Sequence, residues 1–294
     1  MIIDARCRIT IPEAGAFFAD LAKARGVGRA GTIDGFFDEI AAAGITTAVC
    51  VCGNNPTIAF GRVRMAPRTT SNDLMARLQA EHPGRFLGVA GIDTGNVHHD
   101  AHEELERCHA MGLRAVFIEP GHSPGCDIDD PRLYPLYGKC ERLGMTLMPQ
   151  TSGPTGGRNI DYAHPRHIDR IADDFPDLRI VCGHACYPYV REAIIVAARR
   201  ENVYVSPDSY LFDMGTDDWV KAVNSSHYGV ADRFLFGTAF PAVQLAPYLR
   251  DFFALPWSAE ALPQMLYRNA LRAFGVENDP VFRRMYGLDA PAGT

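Results

Sequence analysis

Nine residues in this 294-residue chain have types and positions that could carry chemistry, and each closes or directly follows a short apolar run. Arg6 and Arg8 alternate with apolar residues in the opening run MIIDARCRI, with Asp4 on the same expected face and Ile3, Ala5, Cys7 and Ile9 on the other. Two guanidiniums at the end of a covered strand would be costly without partners, so their presence predicts a built anion site. The plainer alternative is an edge strand with both arginines in solvent. His184 ends the run LRIVCGH and is the best single candidate for proton transfer, because imidazole titrates near neutral pH. A core histidine held by a backbone carbonyl is the competing reading. Glu119 follows AVFI and could serve as a general base or simply pair with an arginine. Gln150 can donate and accept hydrogen bonds without charge, as a substrate-orienting group does. Asp208, Ser209, Tyr210 and Thr238 complete the set as substrate-binding candidates, with Asp208 equally suited to capping its loop.

These residues are informative only if one architecture gathers them. Eight apolar, β-rich runs recur along the chain: Met1 to Arg8, Ile45 to Cys52, Phe86 to Ile92, Leu113 to Ile118, Met145 to Gln150, Leu178 to His184, Asn202 to Pro207 and Arg233 to Thr238. Amphipathic stretches with helical spacing lie between them, among them Asp34 to Ile40, Asp73 to Leu78 and Pro165 to Ile171. Gly44, Gly112 and Gly144 sit where left-handed helix caps are expected. Eight βα units in about 250 residues predict a single (β/α)8 TIM barrel spanning 1–294, whose site lies at the C-terminal ends of the strands. An open doubly wound sheet is the nearest alternative, but no G-x-G-x-x-G or G-x-x-x-x-G-K follows a strand.

Composition narrows the partners. With 29 Lys and Arg against 35 Asp and Glu, the net charge of −6 provides no global field for nucleic acid or an anionic membrane surface. No apolar run approaches the roughly 20 residues of a membrane span. The N-terminus lacks the basic and apolar regions of a secretory leader, and eight cysteines lie mostly in apolar runs, so reduced thiols and a cytoplasmic location are expected. Weaker motifs fall away. His98 and His102 lack a third ligand, Cys182-x-His184-x-Cys186 should turn Cys182 and His184 inward and leave Cys186 in a loop, and no G-x-S-x-G elbow exists.

The segments MIIDARCR, HPGRFLGVAGID, DDPRLYPLYGKCERLGM, ADDFPDLRIVCGHACYPYVREA, NVYVSPDSY, FLFGTAFP and RNALRAFG occur in an order and spacing that resembles the amidohydrolase superfamily, in the branch of aminocarboxymuconate-semialdehyde decarboxylase. The resemblance implies a TIM barrel, a cytoplasmic enzyme often dimeric, and hydrolysis or non-oxidative decarboxylation of small carboxylated or cyclic substrates. It also implies a divalent metal held by His-x-His on the first strand, a fifth-strand histidine, a sixth-strand histidine and an eighth-strand aspartate. Here those positions carry Arg6 and Arg8, Gln150, His184 and Ala239. Arginine cannot ligate a metal because its guanidinium stays protonated.

The expectation is therefore a metal-independent hydrolase or lyase with no cofactor. Arg6 and Arg8 would supply a charge of about +2 to a small anionic organic substrate, Gln150 would orient it, and His184 or Glu119 would move the proton. A non-catalytic binding or regulatory barrel, and a metal enzyme using His184, Glu119, Asp208 or a cysteine, are the alternatives. A homodimer is the expected assembly. The Gly53 to Pro67 loop, with Arg62 and Arg64, should shape the mouth, and the segment after Gly275 should pack on a neighbouring subunit or on the barrel.

Overall fold

The computed structural model describes residues 1–27, 31–55, 58–60, 63–65 and 67–288. Seven parallel strands pair in sequence order: β1 (Ile3–Cys7), β2 (Thr47–Val51), β3 (Phe86–Gly91), β4 (Ala115–Ile118), β5 (Thr146–Pro149), β6 (Ile180–Gly183) and β7 (Val203–Ser206). The eighth position is an extended segment, residues 233–240, which bonds to both neighbours without forming a regular ladder. Leu235 N–H donates to the Val205 carbonyl at 2.9 Å, and Ala5 N–H donates to the Phe236 carbonyl at 2.9 Å. These bonds close the sheet into a (β/α)8 barrel.

Helices cover the outside because each carries one apolar stripe. α1 (Ala16–Arg25) and α2 (Ile33–Ala42) follow β1, and α3 (Asn72–Glu81) follows β2. α2 buries Phe36, Phe37 and Ile40, and α3 buries Leu74, Met75 and Leu78. The Thr32 hydroxyl accepts from the Gly35 N–H at 3.1 Å and caps α2. Gly44, Gly112 and Gly144 have φ of 79°, 89° and 64°, the left-handed turns expected of them.

Two apolar layers follow from strand alternation. Ile3, Ala5, Val49, Leu87, Met148, Val181 and Leu235 fill the barrel, whereas Cys7, Cys50, Cys182 and Val205 pack outward with the helices. Two expectations need correction here. Cys182 faces the outer layer, and Val181 is the residue pointing inward. Strict alternation also fails on β1, because its register against β2 shifts between Asp4 and Cys7. Such a bulge re-aims the side chains that follow it. Ala5 belongs to the inner core and Cys7 to the outer one, so they do not share a face. Asp4 turns to the eighth segment, where Thr238 N–H and Oγ1 donate to its two oxygens at 3.0 and 2.5 Å.

The N-terminal end of the barrel is stoppered by the chain's own C-terminal segment, including α10 (Asn269–Ala273) and α11 (Pro280–Met285). Leu271, Phe274, Val276, Phe282 and Tyr286 join the inner core. The Thr146 hydroxyl donates to the Ala273 carbonyl at 2.6 Å, and the Tyr286 hydroxyl lies 2.6 Å from Thr47 Oγ1. Packing on the barrel is thus one of the two placements open from sequence.

Candidate active site

At the opposite end, three strand exits leave in the left-handed region without glycine: His184 (φ 70°) with Ala185 and Cys186, Asp208 (φ 46°) and Ala239 (φ 56°). Such conformations cost about 1 kcal/mol or more each and persist only where surrounding contacts fix them. Here they bring His184 and Asp208 together beside Arg6. Gly183 makes room for Arg6 and Gly237 for Ser206: a Cβ at Gly183 would sit 2.6 Å from Arg6 Nε, and one at Gly237 would sit 2.4 Å from Ser206 Oγ.

His184, Asp208 and Arg6 form one connected group. His184 Nδ1 lies 2.6 Å from Asp208 Oδ1, and the other Asp208 oxygen accepts from His184 N–H at 3.0 Å and from Arg6 Nη1 at 3.3 Å. Ser209 N–H donates to Asp208 Oδ1 at 2.6 Å. The Tyr248 hydroxyl donates to the Asp208 carbonyl at 2.6 Å and holds this turn from α9 (Leu245–Ala254). Burial alone would raise the Asp208 carboxyl, but the His184 ring and the Arg6 charge outweigh it and hold the carboxyl below its usual range. Burial and Arg6 push the His184 ring below its usual range, against the pull of Asp208. At neutral pH the pair is therefore a carboxylate and a neutral imidazole. An ionised carboxylate only accepts, so Nδ1 carries the proton and Nε2 keeps its lone pair. Asp208 is thus the orienting partner of His184 rather than a residue lining the mouth.

Arg8 also lies against Phe117. Its guanidinium lies 4.8 Å from the Phe117 ring centre and 4.9 Å from that of Phe18 on α1, and its Nη1 donates to the Val51 carbonyl at 2.8 Å. No ion pair to Arg8 is present among the described residues. Burial and the adjacent Arg6 charge push it down to about 9, so it stays protonated at neutral pH yet is the cation most in need of an anion.

Glu119 faces Arg68, a residue that strand-end reasoning missed. Arg68 Nη2 donates to Glu119 Oε1 at 2.9 Å and to His122 Nδ1 at 3.2 Å. Burial would raise Glu119, but Arg68, His122 and Arg8 overcome this and hold it at about 2. Its role as a general base is therefore corrected to that of an ion-pair partner. The signal that could have found Arg68 is its position in VRMAPRTT, in the loop that opens from β2 beside β1. Arg62 and the Arg64 side chain lie outside the described residues.

The remaining candidates divide. Gln150 is buried with its Oε1 unpartnered, as are Arg6 Nε and Ser206 Oγ. Tyr210 meets His184 edge to face at 4.9 Å and stacks on Tyr187 at 4.4 Å, and its hydroxyl lies 3.1 Å from Ser152 Oγ. Ser209 is spent on Asp208. Thr238 is fully buried and its hydroxyl serves Asp4 and the Phe240 N–H, so the expectation that it binds substrate is corrected. The expected charge of about +2 is also revised: Asp208 and Glu119 offset two of the three buried arginines and leave one cation in excess.

The donor set does not fit the metal implied by the resemblance. Guanidiniums have no lone pair to give, Ala239 has no donor atom, and His184 Nδ1 is committed to Asp208. Of the alternative ligands, His184 and Asp208 meet each other, but Glu119 pairs with Arg68 instead of joining them. Among the described residues, the cluster with ligand spacing is Asp127, Asp129 and His167, in the loop between β4 and the helix Tyr134–Leu143 and on α6 (Arg166–Asp174). There His167 Nδ1 pairs with Asp129 at 2.6 Å, its Nε2 faces the Asp161 carbonyl at 3.2 Å, and Arg170 also pairs with Asp129.

A buried His–Asp pair beside arginines at the C-terminal mouth of a closed barrel defines a TIM-barrel site of the kind many enzymes use. The chain belongs to the amidohydrolase family, whose model matches residues 48–276. It is 34% identical to an uncharacterized TIM-barrel protein from Bordetella bronchiseptica, with a TM-score of 0.79 over 94% of this chain and 99% of that one. It shares its fold with 5-carboxyvanillate decarboxylase from Sphingomonas paucimobilis, at 17% identity and a TM-score of 0.66 over 93% of this chain and 98% of the other. A curated relative, 2-amino-3-carboxymuconate-6-semialdehyde decarboxylase of Dictyostelium discoideum, is 34% identical over 77 residues, which span 26% of this chain and 21% of that relative. No helix among the described residues is long and apolar enough to cross a membrane.

Proposed function

We propose that this chain is a metal-independent enzyme of its family that acts on a small organic acid, with Arg6 and Arg8 binding the anion, Gln150 orienting it and His184 transferring the proton. The observation that carries this reading is the buried Arg6–Asp208–His184 group, with Nδ1 fixed by a carboxylate and Nε2 left as a base. A ring that rests neutral enters the cycle as a proton acceptor rather than a donor, which suits water addition: hydrolysis of a cyclic ester or hydration of an enol acid. Water's proton passes to Nε2 while its oxygen bonds to the electrophilic carbon. Arg6 stabilises the charge that develops on the substrate oxygen, and the Nε2 proton then goes to the leaving oxygen or the neighbouring carbon.

Decarboxylation is the second reading, favoured by the decarboxylase named among the relatives, that of Dictyostelium. It requires a proton donor at the carbon that loses carbon dioxide, and His184 would have to enter the cycle protonated.

The test is a screen of chelator-treated protein against carboxylated lactones, enol acids and aromatic acids, with products followed by mass. Gain of water, or of the corresponding ring-opened acid, is the expected result, and His184→Asn should abolish it. Turnover that survives His184→Asn, or that vanishes on chelation and returns with added metal, would overturn the assignment. Ligand binding without turnover of any member would make the chain a binding barrel instead.

A further inference from the structure

The mouth contains a second cationic group that proton transfer does not use. Arg68 is 6% exposed, its Nη2 is held by Glu119 and His122, and its Nε has no partner. Arg8, 5% exposed, has a carbonyl and two ring faces but no acid. Glu119 and Arg68 lie close enough to act on the Arg8 charge with opposite signs. One carboxylate thus stands against two guanidiniums, and an unpaired buried guanidinium N–H is a donor with nothing to bond.

The same pair is covered by consecutive residues of one helix. Phe18 lies over Arg8 at 4.9 Å, and Phe17 over Arg68 at 6.0 Å. Both rings are half-buried and pack edge to face at 4.9 Å. Phe117 forms the floor between Arg8 and Arg6, at 4.8 and 5.9 Å. Apolar rings packed beside two guanidiniums suit a ligand ring that carries a carboxylate at its edge.

We propose that Arg8 and Arg68, roofed by Phe17 and Phe18, form an anchoring subsite for one carboxylate of a planar, ring-bearing acid, apart from the Arg6–Asp208–His184 group that performs the reaction. This deepens the function proposed above and rests on it only for the location of the site. Arg6 is tied to Asp208 and is freed for the reacting oxygen. Arg68 becomes the residue that selects acids over their neutral analogues. The excess of one cation matches a single carboxylate better than two.

The experiment is equilibrium binding by calorimetry, with benzoate and its neutral isostere benzamide as probes, together with thermal melts. Wild-type protein should bind benzoate and reject benzamide. Arg68→Met should weaken benzoate at least about tenfold, and Arg8→Met should abolish measurable binding. Because Arg68→Met strands a buried Glu119, the double variant Arg68→Met/Glu119→Gln removes that orphan and should show the same loss with a restored melt. His184→Asn should leave benzoate binding intact. Equal binding of benzoate and benzamide, no benzoate binding by wild-type protein at millimolar concentration, or unchanged affinity in the double variant would overturn the subsite. Benzoate binding that depends on Arg68 in a protein without turnover would leave the subsite standing and defeat the catalytic reading alone.

Discussion

The two ends of this barrel use buried polar groups in opposite ways. At the N-terminal end the Thr47 and Thr146 hydroxyls have their partners, although Glu277 Oε2 is buried without one: Thr47 donates to the Gly84 carbonyl and meets Tyr286, and Thr146 donates to the Ala273 carbonyl while accepting from Arg179 Nε at 3.2 Å. At the C-terminal mouth Arg6 Nε, Arg68 Nε, Gln150 Oε1 and Ser206 Oγ are buried and unpartnered, and three strand exits are in left-handed backbone. A buried donor without a partner costs about 1–3 kcal/mol, so the mouth is sustained by stability generated elsewhere. The apolar stopper of Leu271, Phe274, Phe282 and Tyr286 is one such source.

If the division is real, substitutions at the two ends separate rate from stability. Asp208→Asn should lower the turnover rate by about 10²–10⁴-fold, because the imidazole loses the partner that fixes its tautomer, and the loss should persist at temperatures where the variant, whose buried Arg6 lacks its acid, is fully folded. Steady-state kinetics and a thermal melt check both halves. Phe274→Ala should do the reverse. Phe274 is 1% exposed at the bottom of the inner core, and its truncation should cost about 3–5 kcal/mol in urea unfolding while the rate per folded molecule stays unchanged. A rate that falls with Phe274→Ala would mean the two ends are coupled through the barrel.

Reading these ends from sequence succeeded unevenly, for physical reasons. The barrel was legible because eight β-rich runs alternate with helical patterns, and the stopper was half legible from the apolar content after Gly275. Arg6, Arg8 and His184 stood out because charged or titratable groups at covered strand ends need an explanation. The partnership of His184 with Asp208 did not, since 24 residues separate them and only the adjacency of β6 and β7 joins them. Asp4 was assigned to the wrong face because period-two alternation cannot foresee a bulge. Arg68 was missed because it sits at a loop ribbon beyond β2, where arginine is ordinarily solvated.

The pH dependence sharpens the contrast further, since the barrel holds carboxyls shifted in opposite directions. Burial raises Asp4 to about 7, while Arg68, against the desolvation of the site, keeps Glu119 at about 2. A raised carboxyl binds its proton more tightly in the folded state, so its stabilisation is present below about pH 4 and is lost as the pH rises through 7. Glu119 behaves oppositely: its contribution is present above about pH 4.5 and is lost as the pH falls toward 2. Urea unfolding at pH 5 and pH 8 should therefore show a smaller drop in stability toward pH 8 for Asp4→Asn than for wild type. The lowered His184 works in the other direction in both proteins and cancels in the difference. Turnover by wild type should fall only below the ordinary histidine range, as Nε2 becomes protonated. An Asp4→Asn protein with the same pH slope as wild type would show that Asp4 stays ionised through its three hydrogen bonds from Thr238 and Arg6.

The smallest effects give the cleanest test, because they compare one chemical change at each end. Thr146→Val removes a hydroxyl that donates to the Ala273 carbonyl and accepts from Arg179, and it leaves both groups without that partner. Its cost in urea unfolding should be about 1–3 kcal/mol. Ser206→Ala removes a hydroxyl equally buried but with no partner to strand, so its effect on stability should stay within about 0.5 kcal/mol of wild type. Equal losses from the two substitutions would mean that Ser206 is satisfied in solution, and that the mouth is no less completely bonded than the stoppered end.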